Sequence, residues 1–366
     1  MNKDYNSALK INEGISQPKS INEKIISKLK TKAKNLKDID YFVNGILASN
    51  KAILSQAITL VESTLQEHQQ LANEIIKQCK HKITSSSIRI GITGIPGVGK
   101  SSFIEVLGQK IIDEGRKLAV LAIDPSSQKS KGSILGDKTR MEKLAGLEDA
   151  YIRPSPSKGS LGGVARKTRE TIILCEAAGF NTIFIETVGV GQSETAVHSM
   201  VDYFLLLLLA GAGDELQGIK RGIIEMANGI AVTKADGDNI EKANMAKAEL
   251  KNVMHLFPLN ESKWQPEVFT VSAKYLKGID EIWENISNYI TFTTNNGYLN
   301  KKRANQSLFW FYEAINESLK NDFFLNKIIN NNIDKVKNDI LNGNANPFES
   351  AKYLIDLYKS KRATEK

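Results

Sequence analysis

The stretch GITGIPGVGKSSFIE, Gly91 to Glu105, constrains this chain more than any other. An apolar run, IRIGIT, breaks into Gly94-Ile95-Pro96-Gly97-Val98-Gly99-Lys100-Ser101, and a helical pattern opens at the Lys-Ser pair. Glycines gather at this density where the backbone must curl into conformations closed to other residues. A curled loop that opens a helix aims successive N–H groups, and the positive end of the helix, at one point. Phosphate oxygens fit that point. The spacing satisfies G-x-x-x-x-G-K-[ST] in the strand–loop–helix setting that the motif requires. Lys100 is therefore expected to reach the β- and γ-phosphates of a nucleotide and Ser101 to ligate Mg2+. The backbone from Gly94 to Ser102 is expected to line the phosphates, with Ile95, Pro96, Gly97, Val98 and Gly99 forming the loop.

The rest of the chain supplies the matching scaffold. From Ile88 to about Ile290 short apolar runs alternate with helical patterns: IRIGIT, LAVLAID, AYIRP, TIFIET, YFLLLLLA, GIAVTK and EVFTVSA. Such alternation predicts an α/β fold of the P-loop NTPase kind, a mainly parallel sheet with helices on both faces. Before it, Leu54, Ala57, Ile58, Val61 and Leu65 recur at helical spacing, and TSSS at 84–87 reads as a junction. After it, TTNNG at 293–297 reads as a second junction, and Asn346-Pro347 as a cap and first residue of a last helix. The expected division is a helical extension over 1–85, a nucleotide-binding domain over 86–292 and a helical arm over 298–366. The aromatic tail needs something to pack against, either a partner subunit or its own domain.

Composition excludes several classes. The net charge of +8 in 366 residues is modest, and no long Lys/Arg block marks a nucleic-acid or membrane partner. YFLLLLLAGAG is about half the ~20 residues of a membrane span and reads as a central buried strand. Two cysteines and four histidines show no metal cluster and no disulfide framework. The first residues lack an apolar leader segment, so a cytoplasmic protein is expected.

Other short segments address the base and the metal. Thr233-Lys234-Ala235-Asp236 ends the strand GIAVTK. A carboxylate there accepts from guanine N1–H and its exocyclic amine, a donor pair that adenine lacks, so Asp236 points to GTP and GDP. The Lys234 stem can lie over the base. Val271, Ser272 and Ala273, in VSAK, can offer backbone N–H groups to the guanine oxygen. Asp124 ends LAVLAID, where ligands gather at the carboxyl ends of parallel strands. Asp137, in KGSILGDKTR, reads as a second magnesium ligand or as a solvated loop acid. Glu186 opens ETVGVGQ, and Gly189 after it can donate an N–H to the γ-phosphate. Gln192 can orient water. Arg166, Lys167 and Arg169 can face solvent, phosphate or another subunit. The loop GAGDELQGIKRG follows a buried strand and reads as a mobile sensor or as a plain surface loop.

Taken together, these segments resemble the bacterial chaperone GTPases of the MeaB/ArgK type, whose human counterpart serves methylmalonyl-CoA mutase. The resemblance covers at least residues 88–273. It rests on GITGIPGVGKSSFIE, LAIDPSS, GSILGDKTRM, RPSPSKGSLGGVARKTRETI, ETVGVGQSE and GAGDELQGIKRGI. It implies the GTPase class related to signal-recognition and nickel-insertion GTPases, and a homodimer that uses its carboxyl-terminal arm to pair. It also implies an adenosylcobalamin-dependent acyl-CoA mutase as partner, with GTP hydrolysis gating cofactor loading and protecting the mutase. By position, Lys100 and Ser101 hold phosphate and magnesium, with Asp124 and Asp137 at the metal. Glu186 becomes a switch residue, and Asp214 to Arg221 a third switch whose Lys220 moves toward the phosphates as a catalytic cation. One departure is visible: many GTPases carry Asn where this chain has Thr233, which cannot supply the same amide contacts. Two other functions compete. One is a kinase of amino-acid (lysine/arginine/ornithine) transport proteins. The other is a nucleotide-dependent scaffold without hydrolysis.

Overall fold

Each of the seven apolar runs becomes a strand of a single sheet. The strands are β1 (Ile88–Gly94), β2 (Leu118–Ile123), β3 (Ala150–Arg153), β4 (Thr182–Thr187), β5 (Tyr203–Leu209), β6 (Gly229–Thr233) and β7 (Glu267–Thr270). Their order is β3-β2-β4-β1-β5-β6-β7, and every pairing is parallel. The structure is a computed structural model and describes residues 38–83, 86–123, 141–154, 161–187, 193–210, 221–258 and 260–364. Elements are numbered in chain order within those residues.

Strand periodicity explains why these runs have no polar face. In β4, Ile183 and Ile185 point to one side and Phe184 to the other. In β5, Tyr203, Leu205 and Leu207 oppose Phe204, Leu206 and Leu208. All are buried, as expected where helices cover both faces. One face is covered by α1 (Ile39–Leu47), α2 (Lys51–Glu62), α3 (Gln66–Lys80), α6 (Leu161–Ala177) and α7 (Ser193–His198). The other is covered by α4 (Lys100–Asp113), the short α5 (Glu142–Ala145) and α10 (Ile279–Asn295). Towards β6 and β7, α8 (Arg221–Met226) and α9 (Ile240–His255) complete the first face.

The helices before the sheet are not a free-standing unit. Leu54, Ile58, Val61 and Ile75 share one core with Ala119, Leu121, Ile183 and Phe204 of the strands. Asn50 caps α2 by accepting from the N–H groups of Ala52 and Ile53. At the other end, α11 (Tyr298–Phe324) follows α10, and α12 (Lys327–Leu341) packs against α13 (Pro347–Thr364) as a hairpin. Asn346 accepts from Phe348 N–H at 2.8 Å, so the Asn-Pro pair starts α13 as expected. No described helix is long and apolar enough to cross a membrane.

Candidate functional site

Parallel pairing sends the carboxyl ends of β1, β4, β5, β6 and β7 to one edge of the sheet, and the site is built there. At its centre β1 runs into the glycine loop between β4 and β5. Gly97 and Gly99 adopt φ of 81° and 97°, and a side chain at either would strain the turn. Gly99 is the residue before α4, so Lys100, Ser101 and Ser102 form the first turn of that helix. Lys100 is buried, and its Nζ donates to the carbonyls of Gly94 at 2.7 Å and Ile95 at 3.1 Å. The ammonium is thereby held inside the curl of the loop, where a phosphate would meet it. Ser101 is half-buried and Ser102 exposed.

Thr233, at the end of β6, is drawn to the loop and not to the outside. Its buried hydroxyl donates to the Val98 carbonyl at 2.7 Å and lies 3.1 Å from the Leu208 carbonyl. The departure from Asn noted in the sequence is thus a tie between β6 and the glycine loop. The next residue, Lys234, is exposed and holds a left-handed φ of 55°, a conformation found where surrounding structure over-determines the backbone. Asp236 follows in extended conformation and accepts from the Ser272 hydroxyl at 2.5 Å. Ser272 itself is fully buried. Its N–H donates to the Lys277 carbonyl, and Lys277 N–H returns the bond, which closes the turn over 272–277.

That turn corrects one expectation. Val271 N–H is taken by the Val232 carbonyl at 2.8 Å and Ser272 N–H by the Lys277 carbonyl at 3.0 Å. Neither N–H is available to a base oxygen. Strand and turn pairing uses both, leaving Ala273 as the member of the trio with its N–H outside those ladders.

Glu186 is buried near the end of β4, in register with Ile92 of β1 and Ala122 of β2. Beside it lies a pair that the sequence did not announce: the hydroxyls of Thr93 and Thr187, both buried, meet at 2.8 Å across β1 and β4. Asp124, Asp137, Gly189, Gln192 and Lys220 lie outside the described residues. Among the described residues no group of three or more His, Cys, Asp or Glu side chains could hold a metal ion.

Arg166 and Lys167 of α6 are committed within the chain. Arg166 pairs with Glu170 at 2.9 Å and reaches Glu317 of α11 at 3.6 Å, and Lys167 donates to the Glu62 carbonyl at 2.6 Å. Arg169 lies near Arg89, Glu176, Asp202 and Arg303, and burial lowers its affinity for its proton to a pKa of about 10.

With this geometry in view, comparison with known proteins decides the family. The family model described as "Methylmalonyl Co-A mutase-associated GTPase MeaB" matches residues 54–327. The chain belongs to the MeaB family. Similar proteins include the GTPase ArgK of Escherichia coli, 45% identical over 285 residues, covering 78% of this chain and 86% of that protein. The mitochondrial methylmalonic aciduria type A homolog of Mus musculus is 42% identical over 332 residues, 88% of this chain and 80% of that one. The solved structure of a LAO/AO transport system kinase superposes with a TM-score of 0.69 at 35% identity, covering 89% of this chain and all of that one. The MeaB-family chain is accordingly a P-loop GTPase that binds guanine nucleotide and hydrolyses GTP.

Proposed function

We propose that this GTPase acts as a nucleotide-dependent chaperone of an adenosylcobalamin-dependent acyl-CoA mutase, gating cofactor loading and protecting the mutase from inactivation. The observation that carries the reading is the match over residues 54–327 to a family described as mutase-associated. In this reading Lys100 and the N–H groups from Gly94 to Ser102 bind the β- and γ-phosphates. Asp236, its carboxylate oriented by Ser272, reads the guanine edge; Lys234 covers the base and Ala273 N–H meets its oxygen. Glu186, Gly189 and Lys220 respond to the γ-phosphate, and Lys220 supplies late positive charge to the transition state.

Magnesium needs only one or two protein oxygens and keeps several waters. The Ser101 hydroxyl, at the head of α4 beside buried Lys100, is a hard oxygen donor of the required kind, so the described residues fit the ion. Asp124 and Asp137 would complete its shell. The ion, when bound, neutralises charge on the β- and γ-oxygens. The three units of function are 1–85, 86–292 and 298–366, in the cytoplasm, with the last as a homodimer arm. Its helices expose Leu308 at 57%, Tyr312 at 62% and Phe348 at 85%, apolar surface that a monomer rarely leaves uncovered.

The test is hydrolysis with and without candidate mutases. A client should raise the GTP turnover rate by about tenfold or more, as late charge supplied to a phosphoryl transfer does. Turnover unchanged by every B12-dependent mutase of the source cell sinks the partner assignment. A kinase reading is favoured only by the name of the solved relative, a transport system kinase; it predicts labelled phosphate on an amino-acid transport protein.

A further inference from the structure

The turn that joins α7 to β5, residues 199–202, is capped by another part of the chain. Past the end of α7, the carbonyls of Ser199, Val201 and Asp202 find donors on α11, 100 residues or more downstream. Lys302 Nζ donates to the Asp202 carbonyl at 2.7 Å, Gln306 Nε2 to the Val201 carbonyl at 2.8 Å, and Trp310 Nε1 to the Ser199 carbonyl at 3.1 Å. Residues 302, 306 and 310 are spaced by four, so they form one stripe along α11. The stripe runs against the turn, each helical turn of α11 meeting a carbonyl one or two residues further back. Arg303 anchors its start: Nε and Nη2 hold the fully buried Asp202 carboxylate at 2.8 and 2.6 Å, and Nη2 also reaches the Ser87 carbonyl at 2.7 Å.

What is clamped bears on the nucleotide. On its inner side α7 sits directly on β1 at Gly91, where a Cβ would lie 2.9 Å from Val197 Cγ1 and from Phe204 Cδ2. Gly91 is on the strand that becomes the phosphate loop three residues later. Upstream, α7 follows β4 and its Glu186; downstream, β5 runs beside β1 from Ile90↔Tyr203 to Gly94↔Leu207. The turn is therefore the place where α11 meets the elements that lead to the phosphates' edge.

We infer that Gln306 and Trp310 are positioning residues for GTP hydrolysis: by capping the 199–202 turn they fix α7 against β1 and couple the nucleotide site to the carboxyl-terminal helices. The same contacts let the order of α11 follow which nucleotide is bound at the end of β1. The inference rests on the GTPase activity and not on the identity of any client.

The test begins with the unaltered full-length protein. Amide hydrogen exchange over 199–202 and 302–310 is compared with GDP and with a non-hydrolysable GTP analogue bound. A change of about threefold or more between the two nucleotides is expected; identical exchange in both segments overturns the inference. The second arm uses Gln306→Leu with Trp310→Phe, which removes the two caps and keeps the apolar bulk. Single-turnover hydrolysis should fall about tenfold while GTP and GDP affinities stay within about twofold, a split that a merely structural strap would not produce. A folded double variant that hydrolyses at the original rate also overturns it. Should that variant fail to fold, the exchange measurement on the unaltered protein decides alone.

Discussion

At the scale of single residues, the site separates binding from bracing. Asp236 is expected to discriminate the base. Asp236→Asn should weaken GTP about 100-fold or more. It should also improve binding of xanthosine triphosphate, whose 2-oxo group accepts from an amide; competition calorimetry with both nucleotides checks this. Thr233 braces. Thr233→Val leaves the Val98 and Leu208 carbonyls without their hydroxyl donor, a loss of about 1–3 kcal/mol that thermal or denaturant melts of the nucleotide-free protein would register. The glycine loop and the TKAD segment were readable because each packs its chemistry into a few adjacent residues. The role of Thr233 was not, because its partners lie 135 and 25 residues away. For the same reason VSAK promised three N–H donors, and only pairing with Val232 and Lys277 reveals that two are occupied.

At the scale of elements, the junction of β1, β5, α6 and α11 is a buried ionic cluster. Arg89 pairs with Glu176 at 2.7 Å, and Arg303 with Asp202 at 2.6 Å. Burial alone would raise the Asp202 pKa, but the Arg303 bonds and the charges of Arg303 and Arg89 outweigh it and hold the carboxyl below its usual range. A depressed carboxylate contributes stability that is present above its unfolded pKa and lost as pH falls through the folded value. Asp202→Asn should cost about 1.5–3 kcal/mol, because it removes the charge-assisted bonds that half-buried Arg303 makes to this carboxylate. It should also flatten the acid limb of the stability curve, measured by denaturant melts from neutral to acid pH. Lys302 gives a slope of the same sign at the alkaline end. Burial pushes it from 10.5 down to about 8, with Asp202 opposing. Between those values the unfolded chain keeps a proton that the folded one has shed, so on this group's account stability rises with pH. Lys302→Met should remove that alkaline gain, seen by comparing melts at about pH 7 and pH 9.5. None of this cluster could be read from the sequence. The strands could, since residues buried on both faces leave unbroken apolar runs, whereas charged residues scattered from 89 to 303 look individually like solvated surface.

At the scale of the whole molecule, the exposed apolar side chains of α11 and the α12–α13 hairpin predict association. Light scattering on the purified protein should give twice the chain mass, and Phe311→Glu with Tyr312→Glu should reduce it to one chain without lowering GTP affinity. The order of assembly also follows from the architecture. The amino-terminal helices share their core first with Ala119 and Leu121 and then with Ile183, Ile185 and Phe204, so that core stays incomplete until roughly 120 further residues have been made. At ~5–20 residues per second, synthesis leaves the greasy side of α2 only partly covered for about 6–24 s. A newborn chain therefore spends its first seconds as a sticky helical fragment in need of shelter, well before there is any pocket for a nucleotide to steady it.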